Sequence, residues 1–134
     1  AGFSIIEVLV VLAVVAILAM LAVSQFVQAY DRSRQRSTLA DMRSVAAANG
    51  MYRIDNSKYA QALTDLAPDY MDPIPTVDRW GYAWTYVGGS SYSLTSRGSD
   101  GIAGPPPPAD WTGEPFEADL VLQSGTFTQA PKSQ

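Results

Sequence analysis

The sequence contains no cysteine and no histidine in its 134 residues. Without cysteine, no disulfide can brace a small domain and no thiol is present as a nucleophile. Without histidine, imidazole acid–base catalysis and a common zinc ligand are also missing. No other nucleophile stands beside a base at motif spacing, so we expect that the protein is not an enzyme. A small domain of this kind needs another brace, and a bound metal ion or assembly with neighbours would supply it.

Charge is almost absent from the start of the chain, where Glu7 is the only charged side chain in residues 3–23. A helix over this stretch would be roughly 31 Å long, which matches the hydrocarbon thickness of a bilayer. A cleavable secretory signal would begin with basic residues, have a shorter apolar core and end in a small-residue cleavage site. We therefore predict that residues 1–24 form a retained transmembrane and assembly helix.

The helical pattern continues beyond the apolar stretch. Residues 24–49 contain neither proline nor glycine, and apolar side chains recur there at steps of three and four residues. The pattern predicts one helix from residue 3 to about residue 54, with residues 25–56 as its amphipathic continuation. A helix of this length needs a partner surface. Its face at Tyr30, Met42 and Val45 is expected to pack on a β hairpin.

Residues 57–134 are predicted to form a small globular β head with a loop rich in proline and glycine. Residues 82–87 and 92–95 flank Gly88 and Gly89, which predicts an antiparallel hairpin. A short helical turn is expected around Leu63, and a last edge strand around Leu120, with Phe127 as a further candidate. The fold class is therefore α+β, a long N-terminal helix packed on a small antiparallel β domain. Four aromatic residues near the hairpin are expected in its core, although stacking on a ligand is the alternative: Trp80, Tyr82, Trp84 and Tyr86.

Charges of opposite sign are separated along the rest of the chain. Residues 31–58 carry six basic and three acidic side chains, whereas residues 59–134 carry three basic and nine acidic ones. These regions can attract each other within a subunit or between subunits. Arg32, Arg34 and Arg36 are spaced by two residues, so they wind around a helix and form no stripe. We expect them to pair with neighbouring subunits, with nucleic acid or anionic lipid as alternatives.

The opening residues, Ala-Gly-Phe-Ser-Ile-Ile-Glu-Val-Leu-Val, resemble the N-terminal signal of type IV pilins and pseudopilins through Gly2, Phe3 and Glu7. The resemblance implies a type IV pilin-like fold, cleavage by a prepilin peptidase between Gly2 and Phe3, and methylation of the new amino group. Cleavage before Ala1 is the alternative. A carboxylate inside a membrane costs about 2.5 to 3.5 kcal/mol on insertion scales and needs a partner. In the family this partner is the N-terminal ammonium of a neighbouring subunit, which makes Phe3 and Glu7 the expected assembly residues.

Three later segments, residues 52–59, 78–82 and 96–101, resemble the major pseudopilin of type II secretion. In that family the loop after the hairpin binds calcium, and the matching positions are Asp100 and Asp119. Ser96 and Glu117 are weaker candidates as ligands. Without the resemblance, Asp100 and Gly101 would be read as a simple turn. The chain departs from the family in lacking a proline after the membrane segment and in its proline-rich loop over residues 102–117.

The resemblance implies a structural subunit of a helical homo-oligomeric filament, most similar to the secretion pseudopilus. The subunit would wait in the bacterial inner membrane with its head outside the cytoplasm, and an assembly platform would add it to a periplasmic or cell-surface filament. The alternative within this class is the major pilin of a surface fimbrium for adhesion, motility or DNA uptake. An anchored ligand-binding domain is a second class. We expect no nucleic-acid partner.

Overall fold

The computed structural model describes residues 2–132, and the chain divides into two compact units between Asp31 and Arg32. Helix α1 (Ile5–Asn56) provides most of the first unit and the opening of the second. The second unit continues with a short 3₁₀ helix (Leu63–Leu66) and a four-stranded sheet. The single long helix and the helical turn predicted around Leu63 are confirmed.

In the first unit, all the residues from position 2 to position 30 are exposed. Ser24 does not interrupt α1, because its hydroxyl donates to the carbonyl of Leu21 at 3.1 Å within the continuous helix. In the described part of the chain, α1 is the one helix that meets the length and hydropathy expected of a membrane span. None of the 18-residue apolar window of α1 is buried.

In the second unit, strands β1 (Thr85–Val87), β2 (Ser93–Ser96), β3 (Leu120–Gln123) and β4 (Thr126–Gln129) lie in chain order, each antiparallel to the next. The predicted hairpin corresponds to β1 and β2. The prediction of one last edge strand was wrong, because Ser124 and Gly125 turn the chain with φ values of 47° and 90°. Such positive values suit a tight hairpin turn, so β3 is an inner strand and β4 is the edge.

The core of the second unit forms where the C-terminal part of α1 meets the sheet. Met42 and Val45 of the helix are fully buried, as are Leu94 of β2 and Leu120 of β3. A buried polar residue joins these layers, because Asn49 Oδ1 accepts from the Ala60 N–H at 3.3 Å and from the Tyr86 hydroxyl at 3.1 Å. The α+β prediction is therefore confirmed.

Two residues assigned to the core by the sequence lie elsewhere. Tyr30 is half exposed and belongs to the first unit, so it does not extend the helix face that Met42 and Val45 bury. Tyr82 is also exposed, at 40%, whereas Trp84 is buried. Tyr82 does not follow the alternation of β1, because its ring lies against Gly101 in the turn after β2.

Candidate functional site

Glu7 lies in the first turn of α1, on an exposed apolar surface. The backbone N–H of Glu7 donates to the carbonyl of Ser4 at 3.0 Å, which starts the helical hydrogen bonding. Its carboxylate forms no hydrogen bond or ion pair with any group in residues 2–132. An acidic side chain in the first helical turn is favoured by the helix dipole, but that effect is small beside the cost of burying an unpaired charge.

Apolar side chains flank this carboxylate on the exposed surface of the chain. Glu7 shares a recess of about 300 Å³ with Phe3, Val8, Val11 and Leu12. Phe3 is 85% exposed, and Gly2 has open space around its Cα. The predicted assembly residues Phe3 and Glu7 are therefore brought together, with a carboxylate in an apolar recess where a cationic partner would fit.

Asp100 and Asp119 both lie in the second unit, near enough for the charge of Asp100 to act on Asp119. Asp119 is buried, its Oδ2 accepts from the Gly104 N–H at 3.3 Å, and its Oδ1 has no hydrogen-bond partner. Burial raises the pKa of Asp119, the Gly104 N–H opposes this shift, and the negative charge of Asp100 raises the pKa further. Asp100 Oδ1 accepts from the Ile102 N–H at 3.0 Å, so the predicted turn is also present.

The turn that carries Asp100 is held by close backbone contacts. The Ser99 N–H donates to the Phe116 carbonyl at 2.9 Å. Gly98 has a φ of 66°, and a Cβ there would lie 2.6 Å from the Phe116 oxygen, so a side chain has no room. Gly101 has a φ of 69° and faces the ring of Tyr82, which explains how this exposed aromatic residue supports the loop.

The weaker candidate ligands lie differently. Ser96 is fully buried, and its hydroxyl donates to Asp78 Oδ2 at 2.7 Å, so its hydrogen is committed to another carboxylate. Glu117 is exposed. Within residues 2–132 there is no group of three or more acidic side chains able to hold a metal.

The paired carboxylates nevertheless fit a hard cation. Calcium takes six to eight oxygen ligands, including backbone carbonyls and water as well as carboxylates. A buried carboxylate oxygen without a partner is costly, and the neighbouring charge of Asp100 adds to the cost. A cation between these two side chains would relieve both effects, so the donor set is compatible with calcium.

A second polar centre was not assigned a role from the sequence. Asp78 is buried, and its Oδ1 accepts from the N–H groups of Trp80 and Tyr82 at 3.0 and 2.9 Å, while Oδ2 accepts from Ser96. The next residue, Arg79, contacts α1 by forming two hydrogen bonds with Asp41 at 2.7 and 2.9 Å. An aspartate that accepts from N–H groups two and four residues later is typical of an Asx turn. This spacing is the sequence signal that could have identified Asp78 as a structural anchor.

An exposed, membrane-length apolar helix that continues into the core of a small antiparallel sheet defines the pilin-like class of proteins. Comparison with known proteins identifies the family within this class. The chain is 31% identical over 124 residues to type II secretion system core protein G of Pseudomonas aeruginosa, a match that covers 78% of this chain and 87% of that protein. No protein-family model and no solved structure matches the chain.

The chain belongs to the family of type II secretion system core protein G, the major pseudopilins. The resemblance inferred from the sequence is therefore confirmed, and so is its pilin-like fold. The exposed apolar helix and this family membership together fit membrane anchoring.

Proposed function

We propose that this chain is a structural subunit of a type II secretion pseudopilus, in which apolar helices of neighbouring subunits pack against one another. The observation that carries the proposal is that every apolar residue from position 2 to position 30 is exposed. Such a surface needs either lipid or protein around it. The relationship to core protein G favours a secretion filament over a surface pilus for adhesion or motility.

In this proposal Glu7 neutralises the N-terminal ammonium of a neighbouring subunit. The carboxylate has no partner within residues 2–132, and the apolar recess around it would strengthen a pairing with a cation. Prepilin peptidase would expose this ammonium by cutting between Gly2 and Phe3, and methylation would follow. The subunit would reside in the inner membrane, with its head outside the cytoplasm, until an assembly platform adds it to the filament.

We also propose that calcium binds between Asp100 and Asp119. The unpaired buried oxygen of Asp119 and the adjacent charge of Asp100 support this proposal. Bound calcium would supply positive charge and connect the proline-rich loop to the start of β3. Backbone carbonyls and water would complete its coordination, because Ser96 is engaged with Asp78 and Glu117 is exposed.

The assembly proposal is tested with the full chain in cells that contain a type II secretion system. Sheared or detergent-extracted material is examined by electron microscopy, and membrane insertion is measured by fractionation. The parent is expected to form filaments, whereas Glu7→Ala is expected to enter the membrane without joining them. Ser24→Ala is the matched control, since Ser24 is also exposed on α1 and bonds only locally.

The outcomes separate the two parts of the proposal. Parent-like filament yield from Glu7→Ala would overturn the pairing assigned to this carboxylate. A parent chain that enters the membrane but never forms filaments would overturn the structural function itself.

A further inference from the structure

A basic cleft lies in the second unit, between α1 and the segments at residues 112–114 and 131–132. The cavity measures about 440 Å³, and its charged lining consists of four cationic side chains and one carboxylate: Arg32, Arg36, Arg43, Lys132 and Glu114. Arg32, Arg36 and Arg43 are spaced by four and seven residues, which places them on one face of the helix. The expectation that the arginines form no stripe is therefore wrong for Arg32 and Arg36, because Arg43 completes a stripe with them.

The cleft has more positive charge than its own residues neutralise. Arg32 pairs with Glu114 at 2.6 Å, and Arg43 stacks over the ring of Phe127. The side chains of Arg36 and Lys132 form no hydrogen bond or ion pair with the described residues of the chain, although the Lys132 backbone N–H donates to the Trp111 carbonyl at 2.9 Å. Within residues 2–132, two cations therefore line the cavity without a charged partner, next to a third whose side chain lies over an aromatic ring.

The same chain also has a negatively charged surface. Residues 59–78 contain four aspartates and no lysine or arginine. Asp78 is buried and serves as the anchor described above, and Asp65 accepts from the N–H groups of Gln61 and Ala62 at 3.0 Å. Asp69 and Asp72 are exposed and make no such bonds within residues 2–132. We call the segment that contains these residues, 61–72, the acidic loop.

The basic cleft and the acidic loop are too far apart to meet within one subunit. The Tyr70 hydroxyl donates to Asp55 Oδ2 at 2.9 Å, which places the acidic loop beside the end of α1. Arg36 and Asp55 are 19 residues apart on this helix, a distance of roughly 29 Å at about 1.5 Å per residue. No arginine side chain spans that distance, so the charges must be satisfied by solvent or by another molecule.

We infer that the basic cleft of one subunit receives the acidic loop of a second copy of this chain. The contact joins two different surfaces, so its repetition gives no closed dimer, and an axial displacement at each step makes the array an open helix instead of a ring. Arg36 and Lys132 lie opposite Asp69 and Asp72 in this contact, with the second copy displaced along the helix direction. The inference rests on the proposed function, because it specifies which head surfaces meet in the filament.

Charge reversal in the full chain tests the contact. Arg36→Glu and Asp69→Lys are each expected to lower filament yield about tenfold, because like charges then face each other across the interface. The double variant with both changes should recover most of the yield. Asp110→Lys is the charge-matched control, since Asp110 is an exposed carboxylate outside both the acidic loop and the proposed calcium site. Membrane insertion and head folding are measured for every variant.

Cysteine pairing provides a second measurement, and the parent chain has no cysteine to interfere. Arg36→Cys combined with Asp69→Cys should give ladders of disulfide-linked subunits in oxidised filaments. A disulfide needs Cα atoms within about 7 Å, so the two positions cannot cross-link inside one subunit. Arg36→Cys combined with Gln123→Cys is the control, because Gln123 is exposed on the sheet.

Rescue by the double reversal together with specific ladders would establish the contact. Normal filaments without ladders, or equal ladders from the Gln123 control, would overturn it while leaving the proposed function intact. Loss of yield in Arg36→Glu that Asp69→Lys does not rescue would also overturn it, and would assign the cleft to another anionic surface such as lipid headgroups. If the parent chain forms no filaments, both the proposed function and this inference would be overturned.

Discussion

The two units of this molecule differ in where their apolar surface goes. In the first unit Phe3, Leu9 and Ile17 are each more than half exposed, whereas in the second unit Met42 and Leu94 are fully buried. Both stretches belong to one continuous α-helix, in which each N–H bonds the carbonyl four residues earlier except at the ends. The difference therefore lies in side-chain burial alone. The second unit has a core of its own, while the apolar side chains of residues 2–30 belong to no such core.

Removal of the apolar stretch is expected to have the largest effect, because it leaves the second unit without the exposed surface of the first. We expect a fragment of residues 25–134 to stay folded and monomeric and to lose filament assembly entirely, because the buried cluster lies in the second unit. Circular dichroism and sedimentation measure folding and mass, and electron microscopy measures assembly. Regular fibres from this fragment would show that the apolar helix is dispensable for assembly.

A substitution in the core of the second unit should reduce folding stability instead of assembly. Met42→Ala in the same fragment should lower the free energy of unfolding by about 2–5 kcal/mol, because it leaves a cavity at a fully buried position. Leu18→Ala in the full chain should leave head stability unchanged, since Leu18 is exposed in the first unit.

The next largest effect is expected at Asp78. Asp78→Ala in the fragment should lower the free energy of unfolding by about 3 kcal/mol, because two backbone N–H groups and the Ser96 hydroxyl lose a charged acceptor. Chemical denaturation measures the change. Asp110→Ala is the control, as Asp110 is exposed. A difference of less than about 1 kcal/mol between these variants would show that water replaces the carboxylate at little cost.

Periodic patterns in the sequence were sufficient for the long helix and for the first hairpin. The apolar steps of three and four residues predicted α1, and the pair Gly88 and Gly89 marked the turn between β1 and β2. The second hairpin was missed because Ser124 adopts a positive φ without being glycine, which leaves a weaker turn signal. A pattern of this kind indicates the local backbone conformation. It does not indicate whether a strand lies inside the sheet or at its edge.

The site residues could be predicted only in part from local sequence patterns. Glu7 stands out because one charge interrupts an apolar run, which is a local signal. Asp100 and Asp119 are 19 residues apart, and their proximity depends on the tertiary contact between Ser99 and Phe116. The stripe formed by Arg36 and Arg43 was missed because the three closely spaced arginines were considered without the fourth.

The smallest effect on stability is expected from calcium. Because the proposed ligands lie in the second unit, calcium should stabilise that unit alone. Calcium that binds only the folded fragment should raise its stability by about 2.7 kcal/mol at a hundredfold excess over the dissociation constant. Thermal unfolding of the parent, measured with calcium and with chelator, should therefore show a shift. Asp100→Asn and Asp119→Asn should each lose it, because each change removes a charged ligand.

The chelator condition distinguishes a ligand from an ordinary structural carboxylate. Asp119 Oδ1 is buried without a hydrogen-bond partner and lies near Asp100, so its charge is unfavourable when no cation is present. Asp119→Asn should then be at least as stable as the parent in chelator and less stable in calcium. Asp110→Asn should follow the parent in both conditions. A parent whose unfolding temperature ignores calcium would contradict the cation site and leave the contacts of Gly98 and Gly101 to hold the loop.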